Sequence, residues 1–514
     1  FRSLPLLVPP QTSTIASHLP KAVGAAISIG RAKDLKISAK MPQDSVVICT
    51  FGDASSNHAT AQSALNTAQL ASYQGISVPL VFICEDNGLG ISVPTPKGWV
   101  NANYSNRPGL EYFWADGLNL LHLHQIAKEA ETFARRRRKP VFLHVNTVRL
   151  MAHAGSDPEW TYRDMGQIEA TEFQDPLLHS ARILLENQIL NKNEIVDVYD
   201  GIRERIDRIS KYVVTRPKLT KPEEVRASLT SNLCPRPLPP IPSSESRAQV
   251  FGRDFEKLHT TPLHMAKLIN YGLSDILLRY KNTVVFGEDV AQKGGVYNVT
   301  DGLYKKFGLR RVFNSPLDET SILGTAMGFA HNGFLPIPEI QFLAYVHNAE
   351  DQLRGEASTL AFFSEGRFTN PMVVRIAGLA YQKGFGGHFH NDNSINVFRD
   401  IPGLIIAIPS NGVDAVKMMR RCVRAAETEG RVVVFIEPIA LYMTKDLHSD
   451  GDKEWSFCYP EPEAEIDLGE FGVYGNGKDL LILTYGNGYY YSRQAEKEVR
   501  EKLGLGVRIL DCAG

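Results

Sequence analysis

An apolar, β-branched run at residues 46–51 stops on Gly52-Asp53, and another at residues 78–84 closes on Glu85-Asp86-Asn87-Gly88. Between them, from Ser55 onward, small apolar residues recur at helical spacing: Ala59, Ala61, Ala64, Leu65 and Ala68. Strands this apolar are buried on both faces, and a helix joining two of them makes a βαβ unit. Such a unit builds a parallel sheet whose ligand loops sit at the carboxyl ends of its strands. A helix over residues 124–138 and a strand over 141–147 continue the alternation. The pattern predicts an α/β fold.

The stretch from Cys234 to Pro242 interrupts it, with proline at 235, 237, 239, 240 and 242, a composition that favours an extended linker. The alternation then restarts. Strands are predicted at 283–287, 337–342, 372–376, 404–408 and 432–436, and helices at 319–331 and 344–363. A third region opens near Pro460 with a strand at 480–485, a helix to Leu503 and a strand at 507–510. One βαβ unit is too small to be a whole domain. The division read from this is 1–230, a linker at 231–250, 251–458, and a partial C-terminal α/β domain at 459–514. The chain opens at Phe1 and stops at Gly514 directly after a strand-like run, so both ends are expected to be cut.

At 514 residues with 43% hydrophobic and 22% charged composition, the chain suits a multidomain globular enzyme. A net charge of −1 supplies no basic field for nucleic acid. Cys49, Cys84, Cys234, Cys422, Cys458 and Cys512 show no CxxC or Cys/His spacing, which argues against a disulfide framework or zinc site and fits a reducing compartment. No apolar stretch approaches the ~18 residues of a membrane span.

Asp53 and Asn87 close successive strands, so their side chains can converge. With the Leu89 carbonyl they offer three oxygen ligands, the donor type Mg²⁺ takes alongside phosphate oxygens. A helix starting at Ser55 would aim its N-terminus at the same place, which suits a diphosphate. Gly-Asp after a strand is also an ordinary turn and helix cap; the matching Asn87-Gly88 at the neighbouring strand end favours the ligand reading.

The string Gly52-Asp53-Ala54-Ser55-Ser56-Asn57 with Asp86-Asn87-Gly88-Leu89 resembles the metal and diphosphate motif of thiamine-diphosphate enzymes, Ala54 standing in place of its last glycine. Around it the likeness narrows to the α-type half of the 2-oxo acid dehydrogenases. Ser13-Thr14-Ile15-Ala16-Ser17-His18-Leu19-Pro20 is similar to the start of the family's helix before the motif. The resemblance implies that Ser13 and Ile15 border the centre of the cofactor, with Ile15 as the wedge that bends it. Ser13 could equally serve as a helix cap. Arg149-Leu-Met-Ala-His153-Ala-Gly-Ser156-Asp157 resembles the family's histidine loop, which would set His153 at the diphosphate and the active-site mouth. Some relatives carry a regulatory phosphoserine right after that histidine; Ala154 removes it here.

Gly287-Glu288-Asp289-Val290, Gly294-Gly295-Val296-Tyr297 and Phe313-Asn-Ser-Pro316-Leu-Asp-Glu319 resemble the β-type half. Glu319 is expected one turn into a helix among Ile322, Leu323 and Ala326, where burial raises a carboxyl pKa. The resemblance gives it the proton on N1′ of the aminopyrimidine; an acid in a helix's first turn also simply stabilises the helix. Gln341 and Tyr345, expected at a strand end, would line the aminopyrimidine and substrate side. In Gly384-Phe-Gly-Gly387-His388-Phe-His390, His390 maps to the family histidine that binds the substrate carboxylate and assists acyl transfer.

The implied fold is two thiamine-diphosphate-binding parallel-sheet domains, diphosphate type then pyrimidine type, plus the start of a C-terminal transketolase-like α/β domain. The implied activity is oxidative decarboxylation of a 2-oxo acid, using thiamine diphosphate and Mg²⁺, with acyl transfer to a lipoyl-bearing dihydrolipoyl acyltransferase. Gln341, Tyr345 and the glycine-rich loop lean toward branched-chain acids over pyruvate or acetoin. A homodimer is expected, with no nucleic acid or membrane partner, in the cytoplasm of a bacterium or the mitochondrial matrix of a eukaryote. Departures from the pattern are Ala54, Glu85 where relatives often have Arg, and His18 in a segment that can hold potassium. A transketolase-like phosphosugar enzyme lacks support because no basic phosphate clamp can be placed. A non-catalytic scaffold would be expected to lose Asp53, Asn87 or Glu319.

Overall fold

The computed structural model describes residues 6–229, 237–380 and 386–512. Cys234 and Pro235 of the linker and Gly384 and Phe385 of the glycine-rich loop lie outside them. The chain forms two compact units, one joining residues 1–43 to 228–514 and the other holding residues 44–227.

The chain enters through helix α1 (His18–Leu35), whose packing puts the first 43 residues in the larger unit rather than with residues 44–227. In the smaller unit, strands β1 (Val47–Gly52), β2 (Leu80–Asp86), β3 (Glu111–Asp116) and β4 (Val141–Asn146) form a parallel sheet in the order β1-β2-β4-β3. Helices α2 (Ala59–Tyr73) and α3 (Leu120–Arg137) make the crossovers, and Val81, Ala115, Ala130, Ala134, Val141 and Leu143 fill the core. The helix expected from Ser55 begins later. Ala54–Asn57 is a tight 3₁₀ turn, and His58, in extended conformation, caps α2 by accepting from Thr60 N at 3.2 Å. The Ser56 hydroxyl donates to the Asp53 carbonyl at 2.6 Å and closes that turn.

The larger unit carries a six-stranded parallel sheet of β5 (Thr283–Gly287), β6 (Val312–Asn314), β7 (Leu335–Ile340), β8 (Met372–Gly378), β9 (Leu404–Ala407) and β10 (Val432–Pro438), in the order β9-β10-β8-β7-β5-β6. Helix α4 (Glu319–His331) spans the predicted residues, but Glu319 is its first residue rather than one turn in, because Asp318 caps it by accepting from Ser321 N at 3.1 Å. The expected helix over 344–363 is instead three short turns: Leu343–Ala349, the wide π turn Gln352–Ala357, and Leu360–Phe363. Buried Gln352 and Glu356 face polar partners there, and such wide turns accommodate them at the expense of regular helix. The C-terminal part adds strands Gly472–Tyr474, Leu480–Thr484 and Val507–Asp511, with one antiparallel pairing beside the predicted βαβ unit. No described helix is long and apolar enough to cross a membrane.

Helices α1 and α4 touch backbone to backbone. A Cβ at Gly324 would stand 2.1 Å from Pro20 Cβ, one at Gly24 2.4 Å from Thr325 O, and one at Gly328 2.1 Å from Ala25 N. Asn332 donates to the Ser28 hydroxyl at 3.0 Å. These pairs rise together along both helices, so the helices are parallel and their N-termini share one end.

Gly328→Ala is expected to lower the unfolding free energy by roughly 1–3 kcal/mol or more, since backbone on both sides must move. Gly201→Ala, on an exposed helix with open space around it, should raise it by about 0.5–1 kcal/mol. Urea unfolding measures both.

Candidate functional site

In the smaller unit β1 and β2 run in register, Gly52 beside Glu85, and Asp53 N donates to Glu85 O at 3.2 Å. Asp53 and Asn87 therefore leave adjacent parallel strands at the same sheet edge. Asp53 is only 1% exposed, yet its Oδ2 has no hydrogen-bond partner among the described residues. A buried carboxylate oxygen is costly unless something satisfies it. A divalent cation does so, and one carboxylate, an amide oxygen and a carbonyl suit a hard ion that also takes phosphate oxygens. Asn87 Oδ1 accepts from Leu89 N at 3.0 Å, which folds the turn. Below it, Asp86 accepts from Gly88 N at 3.0 Å and pairs with His144 Nε2 at 2.8 Å, while His144 Nδ1 meets the Tyr112 hydroxyl at 2.7 Å. The hydrogen bond from His144 pulls the Asp86 carboxyl below its ordinary range. A Cβ at Gly90 would stand 2.6 Å from the Ala54 Cβ, so the extra methyl at 54 is matched by a glycine facing it.

His153 is exposed on a loop tied down by its neighbours. His153 N and the Tyr162 hydroxyl both donate to Asp157 Oδ2, at 3.1 and 2.8 Å. Arg149 donates to the Tyr162 hydroxyl at 2.8 Å and to the Ile91 carbonyl at 2.7 Å. Arg149 thus joins the histidine loop to the loop that follows Asn87.

In the larger unit Glu319 is 7% exposed, and Asn348 donates to its Oε2 at 3.3 Å. Glu288, at the carboxyl end of β5, has a buried Oε1 with no hydrogen-bond partner among the described residues. Burial, and then like-charge repulsion from Glu319, Asp289, Asp318 and Glu339, together raise the Glu288 carboxyl to about 7. Gln341, one residue past β7, lines a small cavity with Gly295, Val296, Tyr297, Glu339, Arg375 and Tyr442. Tyr345 sits on the following 3₁₀ turn rather than on a strand. Its hydroxyl lies 3.2 Å from His390 Nε2, and His390 Nδ1 lies 2.8 Å from the Gly386 carbonyl. The carbonyl can only accept, so neutral His390 carries its proton on Nδ1 and takes the Tyr345 proton at Nε2. The Phe342 ring stands edge-on to His390 at 4.5 Å.

Ser13 and Ile15 belong to this unit too, on a turn just before α1, and both are exposed, Ile15 at 54%. Ala16 between them and α1 has φ +63°, which a non-glycine residue adopts at a cost of about 1–2 kcal/mol. The structure thus groups Ser13, Ile15, Glu319, Gln341, Tyr345 and His390 in one unit, and Asp53, Ala54, Ser55, Asn87, Leu89 and His153 in the other. Sequence reading passed over Glu288 and His144. Glu288 had a signal, an acid closing a fully apolar strand; His144 reads as part of a strand.

Residues 13–221 match the family model described as Dehydrogenase E1 component, and residues 261–444 match Transketolase, pyrimidine binding domain. Over 252 residues the chain is 35% identical to a protein of Staphylococcus aureus named pyruvate dehydrogenase E1 component subunit beta, across 48% of this chain and 71% of that protein. The protein of the same name from Staphylococcus epidermidis is 34% identical over the same span.

Folding keeps Glu288 protonated above the ordinary glutamate range, so its contribution to stability is present at low pH and lost as pH rises from 4.5 through about 7. Glu288→Gln should therefore make the cofactor-free protein more stable than the parent at pH 8, by about 1–2 kcal/mol after allowing for solvent screening, with the gap closing by pH 4. Urea midpoints at the two pH values read this directly.

Proposed function

The chain belongs to the E1 components of the thiamine-diphosphate-dependent 2-oxo acid dehydrogenases, and from that premise we infer that its substrate is pyruvate, the acetyl group passing to the lipoyl group of a dihydrolipoyl acyltransferase. The observation that carries the reading is that both E1-type regions stand in order in one chain, the second similar to pyruvate dehydrogenase β subunits. That similarity displaces the earlier lean to branched-chain acids. The close ring packing of Phe342, Tyr345 and His390 supports a small acyl group as well.

Thiamine diphosphate, when bound, supplies a nucleophilic carbon for the 2-oxo carbon and a sink for the electrons that CO₂ leaves behind. The chain's own residues do the rest. Asp53, Asn87 and the Leu89 carbonyl would hold Mg²⁺, which would neutralise diphosphate charge. Glu319, held by Asn348, would exchange a proton with the aminopyrimidine. His390 takes the substrate carboxylate side, its tautomer fixed by the Gly386 carbonyl and the Tyr345 hydroxyl. The oxidant is the partner's lipoyl disulfide.

With an artificial electron acceptor, kcat/KM for pyruvate should exceed that for 3-methyl-2-oxobutanoate by about tenfold or more, the scale at which a pocket sorts substrates by methyl groups. A preference of that size for the branched acid would overturn the assignment. In the same assay Glu319→Gln should lose about 10²-fold or more in kcat with the fold intact. Near-normal turnover would remove Glu319 from its role.

The working form is a dimer. Tyr199, Ile202, Ile206, Ile209 and Val213 recur every three or four residues along helix Lys192–Val213 and all stand exposed, a stripe that a matching helix covers. Light scattering should give about twice 57.1 kDa, and Ile202→Asp with Ile209→Asp should halve it.

A further inference from the structure

The turn at residues 12–17 is held by one carboxylate that the mechanism does not use. Glu356 is fully buried on the Gln352–Ala357 turn. Its Oε1 accepts from the Thr12 hydroxyl at 2.9 Å and the Ser17 hydroxyl at 2.6 Å, and its Oε2 from Lys21 Nζ at 2.6 Å. Thr12, Ser17 and Lys21 are themselves buried, so all three donors reach the same acid out of water. Gln352 donates to the Ser17 carbonyl at 3.2 Å, and Thr14 to Asp351 at 3.4 Å. Gly355 leaves room for this: a Cβ there would lie 2.9 Å from Thr14 Oγ1. At the centre of the turn, buried Ala16 is held at φ +63°, a conformation that persists only where the surroundings impose it. The residues between the anchors, Ser13 and Ile15, are the ones left facing outward. The parallel packing of α1 on α4 sets this turn at the end of α4 where Glu319 lies.

We propose that Glu356 is a positioning residue for thiamine diphosphate: by gathering Thr12, Ser17 and Lys21 it holds the turn in the shape that presents Ser13 and Ile15 before the cofactor arrives. This rests on the reading that Ser13 and Ile15 border the cofactor. A pre-shaped turn contributes to affinity by removing the ordering cost of binding, so its loss falls on cofactor binding rather than on the chemical step.

The test is titration of the full chain with thiamine diphosphate and Mg²⁺, followed by calorimetry and by tryptophan fluorescence, on Glu356→Gln, on the double variant Lys21→Met with Glu356→Gln, and on Ile15→Ala. The double variant removes both buried charges together, so it remains informative where the single change leaves Lys21 unpaired and the fold fails. The expected result is a Kd raised about tenfold or more in the Glu356 variants and in Ile15→Ala, with kcat of the Glu356 variants largely recovered at saturating cofactor. A merely structural Glu356 would lower the melting temperature and leave the Kd of the folded protein unchanged. If Ile15→Ala raises Kd and the folded Glu356 variants do not, the positioning role is overturned while the reading of the turn stands. If Ile15→Ala also leaves Kd unchanged, the turn does not border the cofactor and both fall.

Discussion

Where α1 crosses α4 no side chain separates the two backbones, because positions 24, 324 and 328 are glycine and a Cβ at any of them would lie within 2.4 Å of the other helix. Contact that close is extensive and unforgiving, since close-packed interiors do not absorb an added methyl without moving backbone. It fixes two things at once. It commits the first 43 residues to the unit that carries Glu319, although some 180 residues of a separate unit intervene in the sequence. It also sets the register of the parallel pair, so the turn bearing Ser13 and Ile15 and the capped end bearing Glu319 share one end. The buried Lys21–Glu356 pair and the Ser28–Asn332 bond then lock positions that the glycines made possible.

Backbone strain is placed where the same logic would put it. Ala16, Ile91, Asp289 and Leu379 all have positive φ without being glycine. Ile91 is the sharpest case, because a β-branched side chain is especially crowded in that region. Its carbonyl is held by Arg149, the residue that also braces the His153 loop through Tyr162. These four, of ten non-glycine residues with positive φ among the described residues, sit in or beside segments whose sequence suggested chemistry. Strain of this kind is retained when a loop must present a shape before its ligand arrives.

Much of this was legible in the residues. Strands that end in Gly-Asp and Asp-Asn-Gly announced a parallel sheet with its loops at one edge, and both large sheets are wholly parallel. The Glu319–His331 helix was legible to the residue, because its cap, Asp318, is a local signal. What failed was non-local. Helical spacing from Ser55 gave no hint that His58 would turn out of the helix to cap α2, and the apolar pattern over 344–363 concealed a wide turn shaped by donors from residues 12–21. Glu356 looks like an ordinary surface acid until α1 is folded against it. Grouping residues 1–43 with the second half was out of reach for the same reason: the three glycines that decide it are unremarkable in either helix read alone.

The buried acids of the two units divide into two kinds, and the division points to where ligands act. Glu437 accepts two bonds from Arg375, at 2.7 and 2.8 Å, and one from the Tyr442 hydroxyl; Glu339 accepts from the same guanidinium at 2.5 Å. Those acids are satisfied by the protein and brace the floor of the cavity that Gln341 lines. Asp53 Oδ2 and Glu288 Oε1 are buried and have no hydrogen-bond partner among the described residues. Each has its own remedy. An oxygen-seeking cation would complete Asp53, whereas Glu288 keeps a proton up to about 7. The charge on Glu319 is among the causes of that rise, so whatever neutralises that charge relaxes Glu288. A ring nitrogen that shared a proton with Glu319 would spread its charge over two groups and weaken the repulsion felt by Glu288. Glu288 would then release its proton at lower pH than in the cofactor-free protein, without any movement of the backbone.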